Sequence, residues 1–500
     1  MTDLQSGRRW AKWILLMLFA WAAVSSAVVL PYVHIHWQDE VQIVEIARGG
    51  IVDKPECWSM LASGNPKVDA QAWAIYYVGG WLLEQAYKLA GHLGPRCLTM
   101  TAFALLALVF GFYLYKKTGD GILSAMLALL LWSFPPLQLC ARGVRADILA
   151  LLFASLSLLT LQIRGQSNGG RCAIFALAGG LYALSVFTWI SAALLAPVVL
   201  WEMCDRLISE KQPLKSWIVA IGSAGVTAGL LALAILLPFL IRWNETVEVS
   251  KVIWSINTNV SAEAGHWLWK ELAICLVQPP GLYVFGGLLL FTQRRFFLLA
   301  VGFVGFLFVC LITKVYSTRL VDFLPYDLIA SALGISMMKA CRWRRGLYVV
   351  VGLMALLAYG RTYVVRNLTD FRCRHYRDFA VMRPIVEKSI GRDLSVYADT
   401  FQLYYIGREL GWKQYHYIVQ WLLPPADLLK KVDCVITEAN AEKKGMRDLL
   451  VSNGFAFAER LEMPSEPETW LSRHFSIPTK SGHLIGPFNV YRRILTGGGG

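Results

Sequence analysis

Asp39 and Glu40 stand side by side in "HIHWQDE", directly after the apolar run "WILLMLFAWAAVSSAVVLPYV". Ionised carboxylates are costly in a low dielectric. An acid pair at the mouth of an apolar helix is therefore either solvated loop or a proton-accepting site at a membrane edge. Asp39 could act as a general base toward a hydroxyl, with Glu40 as its partner. His34 and His36 fall on one side of an extended segment just before Asp39, so a His, His, Asp site for a divalent metal is an open alternative to ordinary interfacial histidines. Two more clusters place charge beside apolar helices: Arg142, Arg145 and Asp147 in "CARGVRAD", and Lys314, Tyr316 and Arg319 in "TKVYSTR". Arginine and lysine there could hold a phosphate and neutralise it as a bond to it breaks. The bland readings are snorkelling interface arginines and a structural Arg145–Asp147 pair. Asp147 lies one turn into an apolar helix, where an acid is a functional candidate by default.

The elements that must position these groups are membrane helices. Of 500 residues, 56% are hydrophobic and only 16% charged, which excludes an ordinary soluble domain. The net charge of +14 fits basic cytoplasmic loops and anionic lipid contact without any nucleic-acid partner. A span needs about 20 apolar residues, and eleven segments qualify: 13–33, 98–115, 121–139, 146–163, 172–187, 190–203, 217–241, 272–291, 296–312, 321–338 and 346–364. The segment 70–90 carries Glu84, Gln85 and Lys88 and reads as a juxtamembrane amphipathic helix. Parity supports that choice. With Arg8, Arg9 and Lys12 cytoplasmic, Lys116–Lys117, Arg164–Arg171, Arg206–Lys215, Arg294–Arg295 and Lys339–Arg345 all fall inside, as the positive-inside rule requires. A twelfth span would put all five loops outside. The prediction is a polytopic α-helical membrane protein of about eleven transmembrane helices plus a juxtamembrane helix, occupying 1–365, with 34–96 as the first external loop.

The tail differs in kind. Short apolar strands alternate with helical stretches ("DLSVYAD", "DCVITE", "MRDLLVSNG", "FNVYRRI"), which predicts an external α/β domain over 366–496. It contains no GxGxxG and no GxxxxGK[ST], hence no nucleotide fingerprint. Ten cysteines are scattered without a CxxC pair. Cys57 with Cys97, and Cys373 with Cys434, fall outside together and could pair. The triplets at Asn244, Asn259 and Asn367 read as glycosylation acceptors if the chain faces a eukaryotic lumen. Chemistry outside the cell has no nucleotide pool, so an activated sugar there would arrive on a polyprenyl phosphate. The outer residues named above could join a base, phosphate-holding cations and a lipid-sized bundle mouth in one cavity. A transporter or lipid flippase is the rival from another class. It would be expected to show paired repeats and broken mid-membrane helices, and no convincing repeat is visible. A non-catalytic scaffold is a further rival.

The "DE" of the first external loop, "ARGVRADILALLFASLSLL" and "AGGLYALSVFTWISAALLAPVVLWE" resemble the GT-C superfamily of polyprenyl-phosphate-sugar glycosyltransferases, closest to the lipid A aminoarabinose transferases and the protein O-mannosyltransferases. The resemblance covers the membrane part, and the tail is similar to that of the aminoarabinose group. It implies an inverting transferase in a bacterial inner membrane, with its active site and tail facing the periplasm. A sugar on an undecaprenyl-type phosphate would be the donor. A glycolipid such as lipid A would be the acceptor, with a protein as the second choice. It implies Asp39 as the loop acid regarded as base, Glu40 as its partner, and Asp147 as the acid after the Arg-rich turn. Lys314, Tyr316 and Arg319 fall where the family holds the carrier phosphate. Lys67 in "GNPKVD" stands where the aminoarabinose group has Lys-Pro-Pro-Leu, a motif not intact here, and Thr188-Trp189 replaces a polar residue usual near that turn. Both departures bear on the choice of sugar.

Overall fold

A computed structural model of the chain describes residues 2–32, 41, 58–59, 77–165, 167–241, 243–244, 247, 251, 296–312, 321–322, 324–338, 341–417, 423–440, 442–464 and 486–494. The predicted residues His34, His36, Asp39, Glu40, Lys67, Lys314, Tyr316 and Arg319, and the predicted span 272–291, lie outside the described residues.

Helix α1 (Thr2–Val29) begins the chain, and strand β1 (Trp58–Ser59) follows. Next come α2 (Tyr77–Ala90), α3 (Leu93–Thr118), α4 (Gly121–Ser133), α5 (Pro135–Arg142), α6 (Asp147–Thr160) and α7 (Asn168–Thr188). A 3-10 turn, Ile190–Leu195, leads into α8 (Ala196–Ser209), α9 (Leu214–Leu240), α10 (Phe297–Ile312), α11 (Leu324–Met337) and α12 (Cys341–Tyr359). Helix α12 runs on through a π-helical stretch, Gly360–Arg366, into α13 (Asn367–Arg372) and α14 (Arg374–Arg377).

Among the described residues five helices are long and apolar enough to cross a membrane, or six if α4 and α5 form one broken span. It is a multi-pass membrane protein. The predicted span 121–139 is not one straight helix: α4 and α5 meet at 55°. Phe134 precedes Pro135 and takes the extended conformation (φ −67°, ψ 118°) that a following proline enforces. The predicted segment 190–203 opens as the 3-10 turn before Ala196-Pro197 starts α8. Helix α2 has 14 residues, too few to cross a hydrocarbon core of ~30 Å at 1.5 Å per residue.

The bundle encloses a large apolar cluster, with Phe103, Phe110, Leu127, Leu130 and Ile329 fully buried, and buries charged groups as well, among them Glu202, Arg206 and Asp327. Its lipid-facing surface is apolar too, as Leu230, Leu353 and Leu357 show by their exposure. Close helix contact is bought by small residues: a Cβ on Gly179 of α7 would meet the Ala224 carbonyl of α9 at 2.3 Å.

The C-terminal domain holds α15 (Phe379–Ile390), β2 (Ser395–Ala398), α16 (Tyr404–Glu409), β3 (Lys413–Tyr417), α17 (Ala426–Leu429), β4 (Cys434–Glu438), α18 (Met446–Ser452), β5 (Phe455–Leu461) and β6 (Phe488–Arg493). The sheet order is β1-β3-β2-β4-β6-β5. Strands β3, β2 and β4 are parallel, and β6 and β5 close the sheet antiparallel. Alternation sends Val396 and Ile436 to one apolar layer and Tyr397 and Val435 to the other, as period-2 strands covered on both faces must. The edge strand β1 comes from the first loop and pairs with β3, Trp58 opposite His416 and Ser59 opposite Tyr417. Cys97 and Cys434 form no disulfide, so neither pairing left open by the sequence is made.

Candidate active site

The turn between α5 and α6 carries the three described candidates. Val144 sits there at φ 53°, a left-handed conformation that is a true outlier for a β-branched residue. It is fully buried. Strain of this kind persists only where surrounding packing fixes it and clusters at functional sites. Asp147 opens α6, where the helix dipole favours a carboxylate. The Arg145 side chain donates through Nε to Asp147 Oδ2 at 2.9 Å. Its guanidinium lies 5.0 Å from the centre of the Trp189 ring. Both charges are almost fully buried. Thr188-Trp189, where the family pattern departs, thus supplies an aromatic platform to the cation.

Arg142 is turned elsewhere. It is 2% exposed and forks onto the carboxylate of Asp370 and the side-chain carbonyl of Asn367. Asp370 also accepts from Arg377 Nη1 at 2.6 Å. Asn367 donates in turn to Ser25 Oγ at 2.8 Å. The structure therefore places Arg142 in a tie between α5 and α13, next to α1. Asn367, read in the sequence as a glycosylation triplet, is 3% exposed and fully engaged, which corrects that reading. Arg145 with Asp147 are brought together; Arg142, three residues earlier, serves a different partner set.

Two features near this rim were missed by sequence reasoning. Asp322, 2% exposed, lies within electrostatic reach of Tyr182 and Tyr326. Those tyrosines donate to the backbone of the 3-10 turn at Ala192, Ala193 and Leu194. The signal for Asp322 was available, since "RLVDFLP" puts an acid at the mouth of a span. Asp370 was also readable as the lone acid in an arginine-rich stretch. A small void of about 10 Å³ is lined by Phe110, Leu151, Ala154, Ser155, Leu158, Leu195, Val198, Val199 and Pro325. Its lining is apolar but for the Ser155 hydroxyl, and it has room for about one water.

Helix α2 packs directly on the turn: a Cβ on Gly79 would meet the Thr188 carbonyl at 2.8 Å and Ala146 Cβ at 2.9 Å. The same helix carries the C-terminal domain. Arg408 of α16 donates to both carboxyl oxygens of Glu84, at 3.0 and 3.3 Å, and lies 3.6 Å from the Tyr87 ring centre. Tyr87 stacks on Tyr405. His92, just before α3, stacks on Phe379 at 4.0 Å and meets Glu409 Oε1 at 3.4 Å. Burial, aided by Arg96, holds the His92 pKa below its ordinary 6.5 against the pull of Glu409 and Asp378. At the carboxyl ends of β2 and β4, Asp399 receives Lys443 Nζ at 2.5 Å. Burial raises its pKa more than Lys443 lowers it. Among the described residues no group of three His, Cys, Asp or Glu could hold a metal ion. His34, His36 and Asp39 lie outside them.

No family model matches the chain, and no curated protein sequence matches it. Its fold is shared with solved structures. The crystal structure of ArnT from Cupriavidus metallidurans bound to undecaprenyl phosphate is similar with a TM-score of 0.65 at 11% identity, covering 97% of this chain and 98% of that one. ArnT of the same organism in the apo state is similar with a TM-score of 0.56 at 13% identity, covering 90% and 96%. The chain has an ArnT-like fold: a polytopic helical membrane part with a C-terminal α/β domain.

Proposed function

We propose that this chain is an inverting glycosyltransferase that moves a sugar from a polyprenyl phosphate to an acceptor outside the cytoplasm. The observation that carries the reading is the likeness to ArnT bound to undecaprenyl phosphate over nearly the whole of both chains. The basic loops on the other face support an outer-facing site in a bacterial inner membrane. In this reading Asp39, with Glu40 beside it, removes the proton of an acceptor hydroxyl. The oxygen attacks the anomeric carbon, the bond to the carrier phosphate oxygen breaks, and the sugar inverts. Arg145, Lys314 and Arg319 neutralise the departing phosphate, with Tyr316 and Lys67 beside them. Asp147 fixes the orientation of Arg145, and Arg142 braces the turn from behind through Asp370. A glycolipid such as lipid A is the first acceptor and a secreted protein the second. With a phosphate acceptor, already ionised, Asp39 positions it instead of taking a proton.

The test is mass spectrometry of envelope glycolipids and secreted proteins from cells carrying the wild-type gene, no gene, or Asp39→Asn. A hexose, pentose or aminosugar present only with the wild type names both substrates. Loss of a general base costs about 10²–10⁴-fold in rate, so the Asn variant should match the gene-less cells while its purified protein melts as the wild type does. An unchanged product in the Asn variant sinks the assignment of Asp39. An identical glycome with and without the gene sinks the transferase.

A further inference from the structure

The segment leaving the last span, "RTYVVRNLTDFRCRHYR" (361–377), holds five arginines and one aspartate. That aspartate, Asp370, is already spent on the buried Arg142 and Arg377. Arg366 is half-buried. Its surroundings include Arg142, Arg361 and Arg377, with Asp370 as the one acid acting on it, and among the described residues it makes no hydrogen bond or ion pair of its own. Arg372 is exposed, and Arg374 lies over the Phe371 ring at 4.3 Å. Surplus cation in such a place is unfavourable unless an anion completes it.

The same segment presents an apolar stripe. Val364, Leu368 and Phe371 follow at helical spacing and are 47%, 44% and 40% exposed. They continue the lipid-facing surface of α12, where Leu353 and Leu357 are exposed as well. A stripe of this kind ends where acyl chains give way to headgroups; Arg372 and Arg374 follow its last residue, and Arg366 flanks it between Val364 and Leu368. A free anion would use the cations and leave the stripe idle; a phospholipid uses both.

We infer that Arg366, Arg372 and Arg374, with Val364, Leu368 and Phe371 beneath them, form a site for the phosphate headgroup and upper acyl chains of an anionic phospholipid. A lipid held there would fix the level of α13, and through Asp370 the position of Arg142, in the membrane.

The experiment reconstitutes the full chain in nanodiscs and photolabels it with a diazirine-bearing phosphatidylglycerol or phosphatidylcholine at subsaturating amounts, followed by peptide mapping. The phosphatidylglycerol probe should label 361–377, and the phosphatidylcholine probe should not. Each near-surface arginine is worth about 1 kcal/mol toward anionic lipid, so removing three should lower that label by roughly a hundredfold at 1.4 kcal/mol per decade. The variant is Arg366→Gln/Arg372→Gln/Arg374→Gln; the matching triple lysine variant should keep most of the label. Equal labelling of 361–377 by both probes, or no label there in the wild type, overturns the site. Full competition by millimolar inorganic phosphate, with Leu368→Ser labelled as strongly as wild type, would assign it to a free anion and overturn the lipid.

Discussion

At the scale of single residues, the informative contrast is between Arg142 and Arg145. They sit three apart on one short turn, yet Arg145 pairs locally with Asp147 at 2.9 Å and Arg142 reaches Asp370, 228 residues away. The first pairing was legible in the sequence, because "RAD" leaves few other places for either charge. The second was not, because nothing local says which of two adjacent cations will meet a distant acid. Each pair also makes a different prediction. Asp147 is 1% exposed and faces a cation that is nearly as buried. Removing one partner of a buried pair costs about 3–5 kcal/mol, much of it from the charge left behind. Asp147→Ala should therefore destabilise by that amount in thermal unfolding in detergent. Asp147→Asn, which keeps a hydrogen-bond acceptor, should lose less. If both variants melt with the wild type, Arg145 has adequate support from elsewhere and the pair is not structural. The acid pair Asp39–Glu40 was visible only as chemistry in search of a setting, and it takes its role from the proposed reaction.

At the scale of elements, hydropathy identified the helices but not their breaks. The run 121–139 is apolar throughout, so a window reads one span, whereas Pro135-Pro136 forces the 55° bend that aims α5 and its Arg142 at α13. The proline signal was present in "FPPL" and was outvoted by composition. Helix α2 went the other way: its charges and the parity of the basic loops marked it as a juxtamembrane helix, and its described part is a 14-residue helix packed on the α5–α6 turn. Its seat depends on Gly79, with the Thr188 carbonyl and Ala146 within 3 Å of where a Cβ would stand. Gly79→Val should lift α2 from that seat and cost about 1–3 kcal/mol, read as faster hydrogen exchange in 77–90. Unchanged exchange would mean that the turn gives way instead. The seam between α2–α3 and α15–α16 carries a pH dependence whose sign is fixed. The His92 pKa is lowered in the folded state, so the unfolded or undocked state binds more protons. Stability is then complete above pH 6.5 and falls as pH drops below it. Arg96 on its own helix and Glu409 and Asp378 on the facing elements act on this ring, and Arg383 pairs with Glu409 at 3.2 Å. Exchange protection of α15 should fall with acidification, and His92→Gln should flatten that profile. A profile unaltered by the substitution assigns the pH response to another group.

At the scale of the whole molecule, the α/β domain is part of the same assembly as the membrane bundle. The alternation of strands and helices in the tail was readable because period-2 burial leaves its mark in sequence. Its attachment was not, because β1 lies more than 350 residues before its partner β3 and is only two residues long. Through that pairing the loop that carries Asp39 lends a strand to the sheet. Through Arg408 the domain grips α2, which in turn presses on the Arg145–Asp147 turn. The grip concentrates on one guanidinium: it forks onto Glu84, which is 3% exposed, and covers Tyr87 at 3.6 Å. Arg408→Ala would leave the Glu84 carboxylate buried and unpaired, a loss of about 3–5 kcal/mol placed at the seam rather than in either core. Glu84→Gln/Arg408→Met removes both charges together and should recover most of it. The expected result for the single variant is faster hydrogen exchange in α2 and α16, unchanged exchange in α6 and α7, and the proposed transferase activity reduced with the loosened turn. The double variant should restore both readouts. If Arg408→Ala leaves exchange in α2 as slow as in the wild type, the domain is held by the β1–β3 pairing and the His92 contacts. The route from sheet to site then runs through the first loop.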